Sequence, residues 1–498
     1  MSIKNINKKI DALVIEKRPF IDGVSYETSH SKVINKISPA DGRDLSGLSA
    51  CQQEDIDIAV HAAKKSFDSK IWSDTALREK KEVIFRLADL LEKNKEELSL
   101  LDTVETGRAY KNFYYDSIPK AIETLRYFAE CIDKCYDLSI SPSPDASAII
   151  SREPLGVVGI ITPWNDPMVV SMWKVAPALL MGNSVVIKPA EQSSFSILLV
   201  ARLAKEAGLP DGVLNVVTGT GEIVGRALAI HHDVAGIFFT GSSEVGKNIL
   251  QYSGQSNMKK VGLECGGKSP YLVSKNCNDL YTAAKVLAKN MFYNQGQICS
   301  APSRAIIDKS ILEKFVKLLL VEIEKYVPND PYDADSNVGC VISEQQKDRI
   351  QHYINIGQET GAKMYEASAP ADMNKMSQYI TPTIFVTDDY RSVIAQEEIF
   401  GPVLVVISTP SMTAAVDIAN QSRYGLAASI WTNDLDEAHW VSRALQAGIV
   451  HINSYGDDDN SVPFGGIKES GIGKDKSIYA FDEYSYLKTT WTHHNNMS

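Results

Sequence analysis

Apolar residues recur at helical spacing between residues 54 and 107 and predict a run of amphipathic helices. One set of apolar positions comprises Ile56, Ala59, Val60, Ala63 and Phe67, and a second comprises Ile84, Leu87, Leu91 and Leu98. Gly107 ends the pattern, as glycine commonly ends helices. The favoured interpretation of this region is helix packed on a core, without chemistry of its own.

From Gly156 the pattern changes to short apolar runs that alternate with longer segments. The runs are Val157–Ile161, Val185–Ile187, Leu214–Val217, Gly236–Phe239 and Val261–Leu263. The segments between them are each long enough for a helix and are Val169–Leu180, Ser194–Ala207, Glu222–His231 and Glu244–Ser253. Continuous Val, Ile and Leu runs separated by helices are typical of a parallel sheet buried on both faces. The pattern therefore predicts an α/β fold.

Polar and glycine residues follow each predicted strand. They are Trp164–Asn165, Lys188–Glu191, Gly219–Gly221, Gly241–Ser242 and Glu264. In open parallel sheets, ligands bind outside the carboxyl ends of the strands. We therefore expect these residues to border one binding crevice.

Composition and charge narrow the class of protein. The chain has 498 residues, 44% of them hydrophobic, which predicts two or three globular domains. Its net charge of −11 argues against nucleic acid or an anionic membrane as the main partner. No secretory signal is recognised, and no apolar stretch approaches the roughly 20 residues that a membrane helix needs. The seven cysteines are scattered without metal-ligand spacing, which favours reduced thiols, a cytoplasmic location and no metal site.

Two motifs suggest a dinucleotide. Residues 239–246, FTGSSEVG, place Gly241, Ser242 and Val245 at a strand-to-helix turn that can face a pyrophosphate, and residues 219–225, GTGEIVG, are a weaker second candidate. Lys188 and Glu191 suit the hydroxyls of a ribose, where a carboxylate favours NAD over NADP. Taken singly, each motif is as well explained by a tight turn or a strand-end ion pair.

Three further residues suggest covalent catalysis. Cys299 lies in a glycine-containing loop, and a nucleophilic cysteine requires an electropositive, partly wet niche. Glu264 is a candidate base, and the amide of Asn165 can donate to an oxyanion. For a cysteine in isolation, an inert buried thiol remains the favoured interpretation.

Together these strings resemble the aldehyde dehydrogenase superfamily over essentially the whole chain. They occur in the order FIDG (20–23), PWN (163–165), KPAE (188–191), LECGGKSP (263–270), GQIC (296–299), EEIFGPV (397–403) and PFGG (463–466). The resemblance implies that Cys299 is the nucleophile and Glu264 the general base, with Asn165 and the Cys299 backbone N–H as oxyanion donors.

The resemblance also implies how the cofactor is held. Lys188 and Glu191 match adenosine-ribose contacts, and Lys188 is counted with the catalytic set as well. The other implied cofactor contacts, from the pyrophosphate region to the nicotinamide ribose, are Thr162, Trp164, Gly221, Gly225, Gly241, Ser242, Val245, Glu398 and Phe400. NAD is the expected cofactor and NADP the less favoured one.

The fold that the resemblance implies has two doubly wound parallel-sheet domains and a small β-flap. The NAD-binding domain would span 1–138 and 153–265, the catalytic domain 266–476, and the flap 139–152 and 477–498. Two Ser-Pro pairs between Ser139 and Asp145 fit such a chain excursion. The flap would join copies of the chain into a homo-oligomer, a dimer of dimers.

The implied reaction is oxidation of an aldehyde to its carboxylate through a thiohemiacetal and a thioester on Cys299. Competing interpretations are a cysteine hydrolase or acyltransferase, and a binding protein on a dehydrogenase scaffold that has lost activity. Two ribose-binding motifs argue against the first, and the presence of both nucleophile and base argues against the second.

The substrate region departs from the commoner family pattern. Asp166 stands where many members have an aromatic residue, and three aspartates, of which Asp457 and Asp458 are the candidates, lie near the other tunnel wall. Asp116, Trp173 and Phe464 complete the expected tunnel. Because an unpaired buried anion is costly, the acids predict a cationic substrate. The pattern is similar to γ-glutamyl-γ-aminobutyraldehyde and aminoaldehyde dehydrogenases of polyamine catabolism. The alternative is a broad-specificity enzyme or one for neutral, aromatic or betaine aldehydes.

Overall fold

The computed structural model describes residues 3–369, 378–457 and 459–494. The apolar pattern of the N-terminal region forms three helices, Gln53–Asp68, Leu77–Lys93 and Lys95–Thr106. Gly107 follows the third helix in the left-handed conformation, with φ of 74°, which a residue without a Cβ adopts at no steric cost. The predicted helical region is therefore confirmed, and Gly107 is its C-terminal cap.

The first sheet contains the five predicted strands, in parallel. In spatial order its strands are Val24–Ser25, Phe20–Ile21, Leu214–Val216, Ser184–Lys188, Val157–Ile161, Gly236–Thr240, Lys260–Glu264 and Gly471–Ile472. The first two and the last are antiparallel edge strands. The chain leaves Val157–Ile161 toward one side of the sheet and returns on its other side at Gly236–Thr240. Ligands bind at such a topological switch point, beyond the carboxyl ends of the strands.

The helices between these strands match the predicted ones with one difference. They are Pro167–Leu180, Phe195–Glu206 and Ser243–Gln255. The segment expected as one helix over 222–231 begins instead as a π-helical turn, Gly221–Gly225, and continues as Arg226–Ile230. The wide turn lets the N–H groups of both Val224 and Gly225 point at the carbonyl of Thr220.

The second sheet has seven strands and is parallel except at one edge. Its order is Lys363–Glu366, Thr383–Thr387, Val403–Thr409, Arg304–Asp308, Pro270–Val273, Ala427–Trp431 and Ile449–Ile452. Only Lys363–Glu366 among these runs antiparallel to its neighbour. The helices around it are Leu280–Phe292, Leu312–Ile323, Glu344–Glu359, Met412–Asn420 and Leu435–Ala444. Two wound α/β sheets are thus present, as predicted.

A third, antiparallel sheet combines two distant parts of the chain. Its strands are Leu138–Ser143, Ala146–Pro154 and Ser485–His493. Its outer residues are largely exposed, including Leu138, Ile140, Ile149, Leu487 and Trp491. The structure therefore joins the predicted excursion to the final strand. The exact domain limits and the role of this flap in oligomers stay predictions.

Further helical segments precede the flap. Ile118–Cys131 follows a π-helical turn, Phe113–Ser117, that carries Asp116. Among the helices of the described residues, none has the length and apolar character needed to cross a membrane.

Candidate active site

A cavity of about 660 Å³ opens at the switch point of the first sheet. Ten of the predicted site residues line it, namely Trp164, Asn165, Trp173, Gly241, Ser242, Glu264, Cys299, Glu398, Phe400 and Phe464. Strand ends of the first sheet supply Asn165 and Glu264, and a loop leading to the second sheet supplies Cys299. One cavity thus brings together the thiol, the carboxylate and the amide that the sequence singled out.

The loop that presents Cys299 turns sharply after helix Leu280–Phe292. Asn294, Gln295 and Gly296 all have positive φ, of 51°, 56° and 67°. A Cβ on Gly296 would lie 2.3 Å from the carbonyl oxygen of Gly401, so only glycine fits there. Left-handed backbone in non-glycine residues costs energy, and the surrounding packing holds it in place here.

The Cys299 thiol lies in a niche that favours its protonated form. Burial raises the pKa of Cys299 to about 12, and the nearby carboxylates of Glu398 and Glu264 add to the effect. The electropositive niche therefore stays a prediction. In the protein alone, burial of the sulfur is the main cause of the raised pKa, and two acids from distant parts of the chain add to it.

Glu264 ends strand Lys260–Glu264 and is one of the residues that line the cavity. Both of its carboxyl oxygens are buried and have no hydrogen-bond partner within the described parts of the chain. Burial, followed by the charge of Asp475, raises the pKa of Glu264 well above its usual value. A Cβ on Gly465 would lie 2.3 Å from Oε1 of Glu264, so this glycine makes room for the carboxyl group.

Asn165 is tied to the loop of the cysteine by two hydrogen bonds. Its side-chain Nδ2 donates to the carbonyl of Gln297 at 3.0 Å. The Nδ2 of Asn294 donates to the carbonyl of Asn165 at 3.2 Å. The amide therefore has a fixed direction beside Cys299, and one of its N–H groups is left for another acceptor.

Glu398 and Phe400 form another wall of the cavity. The Oε1 of Glu398 accepts the backbone N–H of Gly267 at 3.0 Å, while burial raises the pKa of Glu398 to about 7. Phe400 has φ of 57° and meets Trp164 edge to face, with ring centroids 5.3 Å apart. Both residues lie where the sequence placed contacts to a nicotinamide ribose.

Gly241 and Ser242 precede helix Ser243–Gln255 at the cavity. Ser242 caps the helix, because its Oγ accepts the backbone N–H of Val245 at 3.3 Å. A Cβ on Gly241 would lie 2.4 Å from the ring of Phe239, so glycine is required for the turn. Backbone N–H groups at this helix start are suited to an anionic group.

Six predicted cofactor residues lie outside the lining of this cavity. They are Thr162, Lys188, Glu191, Gly221, Gly225 and Val245. The Lys188 ammonium pairs with Glu191 at 3.2 Å beside the neighbouring strand end. A Cβ on Gly225 would touch the Lys188 side chain at 3.8 Å, whereas one on Gly221 would meet nothing within 4 Å. The requirement for glycine is therefore weaker here than at Gly241.

The predicted substrate acids have partners inside the protein. The Oδ2 of Asp166 accepts a hydrogen bond from Arg108 at 3.0 Å and another from the Ser117 hydroxyl at 3.2 Å. The expectation that Asp166 is an unpaired anion is therefore wrong, because Arg108 supplies the cation. Asp166 also lies outside the lining of the cavity.

The remaining acids differ in their surroundings. Asp116 accepts the Tyr293 hydroxyl at 3.0 Å and pairs with Lys120 at 2.9 Å, and 39% of its side chain stays exposed. Asp457 is exposed, and Asp458 lies outside the described residues. The predicted aromatic pair is in contact, because the ring centroids of Trp173 and Phe464 are 5.0 Å apart.

Sequence reasoning missed several buried polar residues around the cavity. Arg108 and Tyr293 have no motif that would reveal them. Lys268 lies in the LECGGKSP motif. Its buried Nζ has no hydrogen-bond partner within the described chain, and burial lowers the pKa of Lys268 to about 7. Lys174 and Asp475 form a buried ion pair at 2.6 Å, and Asp475 acts electrostatically on Glu264.

Cys265, the second thiol beside Glu264, is a buried residue of the cavity wall. A Cβ on Gly246 would lie 2.8 Å from its sulfur, so the thiol packs closely against the helix that Ser242 caps. Burial raises the pKa of Cys265 to about 12. These surroundings are typical of a small apolar core residue.

Comparison with known proteins finds similarity over nearly the whole chain. The sequence profile described as "Aldehyde dehydrogenase family" matches residues 26–490. The NADP/NAD-dependent aldehyde dehydrogenase PuuC of Escherichia coli (strain K12) is 42% identical over 480 residues, which are 96% of each chain.

Two solved structures are similar in fold and sequence. Indole-3-acetaldehyde dehydrogenase in complex with NAD⁺ has a TM-score of 0.97 and 41% identity, over 99% of this chain and 100% of that one. A γ-glutamyl-γ-aminobutyraldehyde dehydrogenase from Burkholderia cenocepacia J2315 has a TM-score of 0.96 and 40% identity, with the same coverage. The chain therefore belongs to the aldehyde dehydrogenase family.

Proposed function

We propose that this chain oxidises an aldehyde to its carboxylate with NAD, using Cys299 as the covalent nucleophile. The observation that carries the proposal is the shared cavity of Cys299, Asn165 and Glu264 at the switch point of the first sheet. A hydrolase would need a nucleophile and a base but no strand-end residues suited to a dinucleotide.

In the first step the Cys299 thiol loses its proton to solvent, and the thiolate sulfur then bonds to the aldehyde carbon as the carbon–oxygen π bond breaks. The carbonyl oxygen then carries a negative charge, which the Asn165 amide and the Cys299 backbone N–H stabilise. An oxyanion donor of this kind contributes about 3–4 kcal/mol to transition-state stabilisation. Bound NAD supplies the acceptor for the hydride that leaves the former aldehyde carbon.

The second step releases the acid from the thioester on Cys299. Glu264 takes a proton from water, the water oxygen bonds to the acyl carbon, and the carbon–sulfur bond breaks with the electron pair on sulfur. Because burial holds the pKa of Glu264 high, its basic form is a strong base once it is deprotonated.

NAD fits the residues that are present. Gly241 and Ser242 offer backbone N–H groups at a helix start where a side chain would collide with Phe239. Glu191, held by Lys188, suits a ribose with a free 2′-hydroxyl, so NAD is favoured over NADP. The relative PuuC is named as dependent on both cofactors.

For the substrate, we propose a cationic or γ-glutamylated aminoaldehyde of about four carbons, as formed in polyamine catabolism. The γ-glutamyl-γ-aminobutyraldehyde dehydrogenase structure supports this substrate class by its similarity along the chain. Asp116 and Asp166 both have cationic partners and both lie outside the lining of the cavity, but Asp116 is the more exposed of the two, so it is the acid that we assign to the substrate cation.

An aromatic aldehyde is the second candidate. The contact between Trp173 and Phe464 gives the cavity a flat apolar wall, and the relative of known structure that acts on indole-3-acetaldehyde is 41% identical. Aromatic rings stack favourably on such a wall.

A kinetic panel separates these substrates. We expect kcat/KM for 4-aminobutyraldehyde to exceed that for butanal by about tenfold, which corresponds to 1.4 kcal/mol of additional binding. NADH absorbance at saturating NAD, repeated with NADP, is the measurement. A higher kcat/KM for indole-3-acetaldehyde or for butanal contradicts the cationic substrate and leaves aldehyde oxidation standing.

We further propose that the enzyme acts in the cytoplasm as a homo-oligomer built through the flap. The exposed apolar residues Leu487 and Trp491 on its last strand support an intersubunit role. Light scattering of the chain and of a Trp491→Lys variant tests this assembly.

A further inference from the structure

Arg108 is a buried cation that hydrogen-bonds to Asp166, the residue after the candidate oxyanion donor Asn165, and to Tyr293. Its Nη1 donates to Asp166 at 3.0 Å and its Nη2 to the Tyr293 hydroxyl at 2.6 Å. The guanidinium also lies over the rings of Phe113 and Tyr293, at 4.9 and 4.8 Å from their centroids. Only 3% of its side chain is exposed, so these contacts replace most of its solvation by water, and its Nε has no hydrogen-bond partner within the described residues.

The two hydrogen-bond partners of Arg108 belong to different segments of the active site. Asp166 directly follows Asn165, and Tyr293 directly precedes the left-handed turn that leads to Cys299. Arg108 therefore links the segment of the oxyanion donor to the segment of the nucleophile. It does so from outside the cavity, because it is absent from the lining.

Further bonds fix this link from a third segment. The π-helical turn Phe113–Ser117 presents two successive residues to it: Asp116 accepts the Tyr293 hydroxyl, and the Ser117 hydroxyl donates to Asp166. π-Helical turns occur frequently at functional sites.

We propose that Arg108 is a positioning residue that sets the separation between the Asn165 amide and the Cys299 sulfur. This inference rests on the proposed roles of Asn165 and Cys299. Arg108 lies outside the lining of the cavity. It therefore affects the rate indirectly, by fixing the orientation of the Asn165 amide. A misplacement of an oxyanion donor by a fraction of an ångström weakens a hydrogen bond that exists only in the transition state.

A double-mutant cycle distinguishes positioning from general stabilisation. We expect Arg108→Gln to lower kcat by about 30-fold in the wild-type background, because most of one oxyanion contribution is lost. In the Asn165→Ala background the same change is expected to lower kcat less than about threefold, since the donor through which Arg108 acts is gone. The dissociation constant of NAD, measured by fluorescence titration, is expected to stay unchanged in all four proteins.

Three further variants complete the design. Arg108→Lys keeps the charge but not the forked geometry, so we expect it to restore part of kcat. Tyr293→Phe removes only the hydroxyl shared by Arg108 and Asp116 and provides the same cycle if Arg108→Gln fails to fold. Arg126→Gln, which removes an exposed ion pair with Asp89 on a neighbouring helix, is the matched control and is expected to leave kcat unchanged.

The outcomes are distinguishable. Equal losses of kcat with and without Asn165 overturn the positioning role, as does a changed affinity for NAD. If Asn165→Ala itself leaves kcat unchanged, the proposed role of Asn165 fails and the inference about Arg108 falls with it. If Asn165→Ala is severely impaired and the Arg108 effect persists in it, only the inference fails.

Discussion

The cavity differs from the cluster of Arg108, Asp116 and Asp166 outside its lining, here called the wall, in how buried charged groups are paired. In the cavity, the Glu264 carboxyl group accepts no hydrogen bond from the described residues. Burial raises the pKa values of Glu264 and Cys299, which favours the neutral form of each group. In the wall, Asp116, Asp166 and Arg108 share hydrogen bonds and ion pairs, and the pKa of Asp116 is lowered, because Lys120 and Arg108 outweigh its burial. The reacting carboxyl group of Glu264 has no hydrogen-bond partner, whereas Arg108, Asp116 and Asp166 each take part in an ion pair, and only the Nε of Arg108 and the Oδ1 of Asp166 in this cluster lack a hydrogen bond within the described residues.

The difference has an energetic meaning. An unpaired buried group costs free energy that the rest of the fold must offset, and such strain is typical of functional sites. A cluster of paired charged groups costs less free energy to bury, and its hydrogen bonds restrict movement. We therefore expect substitutions in the cavity to change rates with little loss of stability, and substitutions in the wall to change both.

The largest expected effect is at the nucleophile. Cys299→Ala is expected to lower kcat by on the order of 10⁴-fold or more, since no covalent intermediate forms. The melting temperature and the affinity for NAD should stay close to the wild type. NADH production with the chosen aldehyde is the measurement. Cys277→Ala, which changes a buried cysteine in the loop after strand Pro270–Val273, is the control, and an active Cys299→Ala enzyme would end the proposal.

The next effect concerns the base. Glu264→Gln is expected to lower steady-state kcat by about 10²–10³-fold while leaving a rapid burst of NADH, because the thioester still forms but is hydrolysed slowly. The pKa of Glu264 is raised, so its basic form grows as pH rises, and the wild-type hydrolysis rate should climb with pH. Stopped-flow absorbance between pH 6 and 9 checks both points. A hydrolysis rate with the same pH dependence in both proteins would contradict the role as base.

The smallest expected effect compares the two acids of the wall. Asp166→Asn leaves Arg108 short of its main anionic partner and should cost about 2–4 kcal/mol of stability. Asp116→Asn should cost about 0–1 kcal/mol, since 39% of that side chain is exposed and screened by water. Thermal unfolding measures the difference. Asp116→Asn should in addition lower kcat/KM for cationic aldehydes and spare neutral ones; the reverse pattern would assign the substrate cation to Asp166.

Much of the fold could be predicted from the sequence, because the apolar runs that mark its strands are local patterns. Continuous apolar runs identified all five central strands of the first sheet to within one residue at each end. Residues that follow those strands, such as Asn165 and Glu264, were therefore placed at one edge. Since parallel strands share their carboxyl edge, no knowledge of distant contacts was needed.

The wall could not be predicted in the same way, because its contacts join distant positions. Arg108 meets Asp166 across 58 residues and Tyr293 across 185 residues, and no short pattern encodes either pairing. The pKa of Cys299 likewise depends on Glu264 and Glu398, which approach it only in the folded chain. A carboxylate next to Asn165 was therefore taken for a substrate contact when it is a partner of Arg108.

The short edge strand Gly471–Ile472 has a consequence for biosynthesis. It pairs with Leu263 and Glu264, so the strand that carries the base keeps an uncovered edge until residues 471 and 472 have been synthesised. An uncovered edge recruits other strands and promotes aggregation. Nascent chains stalled before residue 471 should consequently depend on chaperones to remain dispersed, although nearly all of the catalytic residues have by then been synthesised.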